Sequence, residues 1–211
     1  MSDRFFSFIV MIVLFSVVFT SCNKDDNNKD EFIVSGTISG EHANWTEVSV
    51  SVDFGETWVE TAPISNGKFS IKLPIPSTQY LIPFEIEDFP DKIDISDNNV
   101  KVGTATFIVR KGDQTEILTL KDASILPLFG STVVSYIYVD KNVNVSGAFD
   151  EYDEELGMSI KYAVDLQFKK GWNTVVVTLS GFLTGNLTIT SKTDDVPSNC
   201  VWMAAGNLLE N

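Results

Sequence analysis

The chain predicts an all-β protein, an antiparallel β-sandwich in two packed sandwich-like modules. Three observations carry this. Apolar and polar residues alternate with period 2: Val48, Val50, Val52 and Phe54 against Ser49, Ser51 and Asp53, and Ile160, Tyr162, Val164, Leu166 and Phe168 against Lys161, Ala163, Asp165 and Gln167. One apolar and one polar face is the pattern of a half-buried antiparallel sheet. No stretch after Cys22 keeps a 3.6 period beyond about two turns. Turn signals recur every ~8–12 residues, the spacing of sandwiches and barrels.

The strands follow in order as 32–39, 48–54, 57–61, 67–73, 79–87, 100–110, 114–120, 133–140, 142–149, 160–169, 175–180, 185–191 and 199–204. Asn66-Gly67 predicts a tight hairpin, because both central positions tolerate positive φ. Lys111-Gly112-Asp113, Asp140-Lys141-Asn142 and Lys170-Gly171 mark further turns. Alternation lapses from Lys121 to Ser131, where Pro127 and Gly130 occur, which divides the chain into modules 32–126 and 127–211. A competing division near Ser96-Asp97-Asn98-Asn99 leaves eight strands from Val100 onward, enough for a barrel-like module beside one sandwich.

Composition excludes several classes. The net charge of −14 argues against nucleic-acid binding, since phosphate neutralisation needs clustered Lys and Arg. Two cysteines make no disulfide framework, and one histidine makes no His-rich metal site.

The first residues give an address. Arg4 precedes an uncharged run, Phe5 to Phe19, too short for the ~20 residues that cross a bilayer as a helix. A charged start, a short apolar run and small residues are the parts of a secretory signal peptide over residues 1–21. Phe19-Thr20-Ser21-Cys22 resembles a bacterial lipobox, which implies that Cys22 is lipidated and heads the mature chain; the alternative is a plain signal peptide cut near Cys22. Residues 22–31 then form a polar tether with nothing to bury. Lys24-Asp25-Asp26 resembles the export signal of Bacteroidetes surface lipoproteins, which implies an outer-membrane, outward-facing anchor; without it the body faces the periplasm. Removing residues 1–21 takes away one Arg and one Asp, so the charge stays at −14.

A wider resemblance follows. Val34-Ser35-Gly36-Thr37-Ile38-Ser39-Gly40 with Asn66-Gly67-Lys68-Phe69-Ser70-Ile71-Lys72-Leu73-Pro74 resembles the start of many Bacteroidetes lipoproteins with transthyretin-like or immunoglobulin-like sandwiches. Tyr138-Val139-Asp140, Val143 to Gly147 and Leu166 to Asn173 resemble the later half of such lipoproteins. The resemblance implies fold and address, and transfers no catalytic residue.

Candidate chemistry is sparse. His42, in Gly40-Glu41-His42-Ala43-Asn44-Trp45, is expected to be a solvated loop histidine, because no serine sits in a nucleophile-elbow pattern. Cys200 lies in an apolar stretch, Cys200-Val201-Trp202-Met203, where a thiol acts as a small hydrophobe. Asp150, Glu151, Asp153, Glu154 and Glu155 are expected in one loop between Phe149 and Met158, and Glu85, Glu87, Asp88, Asp91, Asp94 and Asp97 form a second acidic stretch. Calcium takes six to eight oxygens, which makes Asp150, Glu151, Asp153 and Glu154 calcium candidates, although neither cluster has EF-hand spacing. No other cofactor is expected. Trp58 and Trp202 belong to strands and core, whereas Trp45 and Trp172 sit by turn residues and are the candidate ligand-binding pair, since exposed rings stack on sugar faces.

These readings favour a non-enzymatic envelope lipoprotein, held to the membrane by its lipid and acting as a binding or accessory module for a glycan, peptide or partner protein. One alternative is a glycan hydrolase using carboxylates of the 150–155 loop. Another is a structural subunit of a surface appendage, which requires an open sheet edge or a donor strand.

Overall fold

The computed structural model describes residues 31–52, 57–84, 92–122, 130–154, 156–181 and 186–204. The leader, Cys22, the tether up to residue 30, Glu155 and residues 123–129 of the expected module boundary lie outside the described residues, as do Asp53, Phe54, Glu85, Glu87, Asp88 and Asp91. The described residues form an all-β, sandwich-like protein with two short 3-10 turns, Glu41–Asn44 and Thr78–Tyr80, and no α-helix. The strands are β1 (Phe32–Thr37), β2 (Glu47–Ser51), β3 (Trp58–Pro63), β4 (Lys68–Leu73), β5 (Ile82–Pro83), β6 (Ile93–Ile95), β7 (Lys101–Thr104) and β8 (Thr106–Lys111). They continue as β9 (Gln114–Asp122), β10 (Thr132–Val139), β11 (Val143–Asp153), β12 (Met158–Phe168), β13 (Gly171–Ser180), β14 (Asn186–Thr193) and β15 (Cys200–Ala204).

The large sheet runs β3-β2-β8-β9-β10-β13-β14-β12-β11-β6, with β15 joined to β9 and β5-β7 joined to β10. β1 and β4 form a separate two-stranded sheet. Two apolar cores result. In the first, Val34, Phe69, Ile71 and Leu73 of the β1-β4 sheet lie with Val48 and Val50 of β2, Phe107 and Val109 of β8, Leu118 and Leu120 of β9, and Trp202 of β15. Trp202 is fully buried, with Phe69 and Phe107 edge-on to it at 4.6 and 5.8 Å. Such ring pairs contribute about 1 kcal/mol each beyond their area. The second core is lined by β11, β12, β13 and β14, with Val102, Ile137 and Val139.

β10 and β13 form a wall between the cores. Val134 and Tyr136 enter the first core, while Ile137 and Val139 enter the second. On β13, Val176 enters the first, and Val175, Val177 and Leu179 the second. A strand covered on both faces must be apolar at consecutive positions, which explains the buried run Val133-Val134-Ser135-Tyr136-Ile137-Tyr138-Val139, polar only at Ser135.

Several turns match expectation. Asn66 (φ 53°) and Gly67 (φ 72°) form the tight turn, closed by Ser65 and Lys68 bonding each other's backbone at 2.8 and 3.0 Å. The strands beyond it then part, β3 to β2 and β4 to β1. Gly112 (φ 60°) turns β8 into β9.

Other expectations need correction. The expected strand 100–110 is two strands parting at Ala105, because β7 pairs with β10 while β8 pairs with β2 and β9. Within the expected strand 79–87 the described residues hold a 3-10 turn and the two-residue β5. Ile93–Ile95, unmarked in sequence because it is so short, forms β6 against β11. Among the strands named here one ladder is parallel: β14 slots between β13 and β12 and runs alongside Ser159–Asp165 of β12. Only Lys169 and Lys170 span from β12 to β13, and Asn173 holds that link, its Oδ1 accepting the Lys169 N–H and its Nδ2 donating to the Lys169 and Gly171 carbonyls at 2.7–2.9 Å.

Candidate functional site

Trp45 follows the 3-10 turn Glu41–Asn44, its N–H donating to the His42 carbonyl at 3.1 Å. Its half-buried indole packs on the first core, with the His42 ring 4.6 Å away and tilted 48°. His42 is only 4% exposed, so the solvated-loop expectation is corrected. The segment is folded down onto the Asn66-Gly67 turn: a Cβ on Gly67 would lie 3.2 Å from the Cβ of Ala43. The residues 41–45 therefore plug one end of the core.

Trp172 is not in a turn but is the second residue of β13. Its Nε1 donates to the Pro74 carbonyl at 3.0 Å, and Tyr138 meets it edge-on at 5.5 Å. It too is half-buried against the first core. Trp45 and Trp172 are thus both rim residues of one core, and no ring contact joins them. Each residue is partly exposed.

The acidic segment is not a loop. β11 runs to Asp153, so Asp150 and Glu154 point outward while Glu151 and Asp153 take the inward parity of Val145 and Phe149. Glu151 accepts the Tyr162 hydroxyl at 3.2 Å, Phe149 stacks on Tyr162 at 4.5 Å, and Asp153 accepts the Leu156 N–H at 2.8 Å. Burial, then the nearby Glu151 charge, raises the Tyr162 phenol well above its ordinary value. Asp150, Glu151 and Asp153 sit on one strand, and Asp153 closes its hairpin. Among the described residues, no group of three or more His, Cys, Asp or Glu side chains is arranged to hold a metal ion.

Cys200 is buried and free. Burial, with the negative Asp122 opposite it, pushes its thiol up to about 11, the reverse of the shift that activates a nucleophile.

Three features went unmarked in the sequence. Lys121 is 3% exposed, and burial lowers its amine below the ordinary lysine value, with Asp122 working in the opposite direction. Asp122 is itself buried, its Oδ2 accepting the Thr132 N–H at 2.9 Å. The parity of Leu118 and Leu120 extended by two residues would have placed Asp122 inward. The Arg110 guanidinium of β8 reaches past β2 to lie 5.5 Å from the centre of the Trp58 ring of β3, a contact of the cation–π kind.

The described residues define an all-β, sandwich-like protein. No protein-family model, curated protein or solved structure matches the chain.

Proposed function

We propose that this chain is a non-enzymatic lipoprotein of the cell envelope, anchored by acyl chains on Cys22 at the outer membrane, whose β body serves as a binding or accessory module. The observation that carries the reading is the order Phe19-Thr20-Ser21-Cys22, then a polar tether, then a first strand at Phe32. A short apolar run ending in a cysteine gives an anchor, and a segment with nothing to bury gives reach. The indoles Trp45 and Trp172, partly buried beside Tyr138 and His42, are the aromatic groups whose remaining exposed surface suits stacking on a glycan face.

Labelled palmitate should enter the wild-type protein and not a Cys22→Ala variant, which should leave the membrane fraction. Equal membrane retention of both would overturn the anchor. For the binding role, Trp45→Ala and Trp172→Ala should each weaken retention on polysaccharide affinity gels without loss of fold by circular dichroism. Absence of retention of the wild type on every glycan gel would leave a peptide or partner protein as the ligand, to be sought by pull-down.

A further inference from the structure

We infer that the vertex where β8, β9 and β10 part, lined by Thr106, Ser135 and Lys121, binds a small tetrahedral oxyanion, a free phosphate or sulfate ion; this does not depend on the lipoprotein reading above.

Three ladders run toward one point and stop short of it. β8 pairs with β9 as far as Ile108–Ile117, and the next position on that face would set Thr106 against Thr119. β7 pairs with β10 as far as Thr104–Ile137, and the Ala105 N–H donates to the Tyr136 carbonyl at 3.1 Å, so the next position would set Thr106 against Ser135. β9 meets β10 at Lys121–Val133, and the next position would set Thr119 against Ser135. The same three residues are thus the corners of a triangle. A strand edge carries one row of backbone donors and acceptors and cannot serve two neighbours at one point. Each corner is held instead on its outer edge, Thr106 by Ser51, Thr119 by Met203 and Ser135 by Val175.

Two hydroxyls at these corners lack partners. Thr106 and Ser135 are 4% and 2% exposed, and neither side-chain oxygen has a hydrogen-bond partner. β2 and β3 show what a closed ladder does with the same groups: Ser49 and Thr61, opposed in register, bond hydroxyl to hydroxyl at 2.9 Å. At the vertex the strands have parted and the hydroxyls do not meet. Lys121 shares this face, two residues or about 7 Å along β9 from the Thr119 corner, with Val133 and Val201 on either side. It is 3% exposed and forms no ion pair among the described residues. Asp122 belongs to the opposite face, against Cys200, and accepts the Thr132 N–H. Glu47, the acid that β2 places on the Lys121 face, lies opposite Arg110, four residues along β8 from Thr106.

The vertex is therefore rich in donors and short of acceptors. Lysine is seldom buried without a negative partner, and buried hydroxyls are normally bonded. An oxyanion supplies the missing charge and several acceptor oxygens in one compact group, and bonds of this charge-assisted kind are the stronger ones. Burial lowers the Lys121 amine, the direction expected of an ammonium without its counter-ion. Side chains this deeply buried admit a free ion and not a group carried on a polymer. Val175 opposite Ser135 and Val133 opposite Lys121 keep the surroundings apolar, which strengthens polar contacts made there.

The test titrates the full-length protein with phosphate, sulfate or acetate at fixed pH and ionic strength, by calorimetry and by thermal unfolding. Wild type should bind phosphate or sulfate once and saturably. Its unfolding midpoint should rise by about 5 °C or more at roughly a hundred-fold excess over the dissociation constant. K121M, which keeps a buried unbranched stem, should bind at least about ten-fold more weakly. T106V/S135A, which removes both hydroxyls, should also bind more weakly while keeping its circular dichroism spectrum. A midpoint that rises alike in all three proteins, or without saturation, is a bulk salt effect and overturns the site. Binding that K121M retains overturns it too. Loss in K121M with none in T106V/S135A moves the ion off the vertex and overturns the assignment. Saturable binding of acetate without phosphate or sulfate overturns the tetrahedral ion.

Discussion

The indole N–H of Trp172 donates to the Pro74 carbonyl across 3.0 Å, joining residues 98 apart in sequence. It ties β13, the wall between the cores, to the end of β4, the sheet that covers the first core. Trp172→Phe keeps a ring against Tyr138 and removes the donor. It should cost about 1 kcal/mol in urea denaturation, and Trp172→Ala about 2–3 kcal/mol, because the half-buried ring is lost as well. Equal stability of Trp172→Phe and wild type would show that water replaces the bond without loss.

Gly147 leaves no room for a side chain. Its φ is 150°, and a Cβ there would lie 2.3 Å from the Lys92 carbonyl oxygen and 3.1 Å from the Ile93 Cα. Gly147→Ala should therefore lift β6 off β11 and cost about 2 kcal/mol or more. Hydrogen exchange is the direct measurement: amides of Ile93–Ile95 should lose protection while those of β10 and β13 keep theirs.

The shared wall couples the two cores. Val176 and Val177 are neighbours in sequence, yet Val176 faces the first core and Val177 the second. Val176→Ala and Val177→Ala should each cost roughly 2 kcal/mol, from lost transfer and a cavity. Each should shift one common unfolding transition, seen alike by tryptophan fluorescence and far-ultraviolet circular dichroism. Two separable transitions, each moved by one variant only, would show that the cores unfold independently.

Cys200 makes stability depend on alkaline pH. Its thiol is held up to about 11 in the fold, against 9.0 for an ordinary cysteine. Below 9.0 it is protonated folded and unfolded, and its contribution is constant. Between 9.0 and about 11 the unfolded thiol ionises while the folded one does not, so stability falls as pH rises through that window. The denaturation midpoint of wild type should fall more steeply there than that of Cys200→Ala. Parallel curves would place the ionisation elsewhere.

Much of the fold was legible in the sequence because a sheet with a dry face imposes period 2 and a hairpin imposes positive φ. The run Ile160, Tyr162, Val164, Leu166, Phe168 fixed both the strand and its inward face, and Asn66-Gly67 fixed a turn. The candidate sites were less legible. His42 was expected to be solvated because it falls in a loop with no nucleophile pattern to partner it, but a loop's burial depends on what it folds against, here the Asn66-Gly67 turn. Asp150 to Asp153 looked like a loop because they are charged, but alternation continues through them and β12 pairs with all of them.

The amino-acid order by itself determined the all-β class, the positions of most strands and the tight turns, since these depend on side chains within a few residues of one another. Only the tertiary structure decided which strands are neighbours. β15 returns to β9, β14 enters in parallel beside β12, and the start of β7 and the β12–β13 link both bond to the β10–β11 connection. Pairing joins segments tens of residues apart through backbone groups that are alike in every strand, so the choice lies in how the two cores close around β10 and β13 rather than in any local pattern.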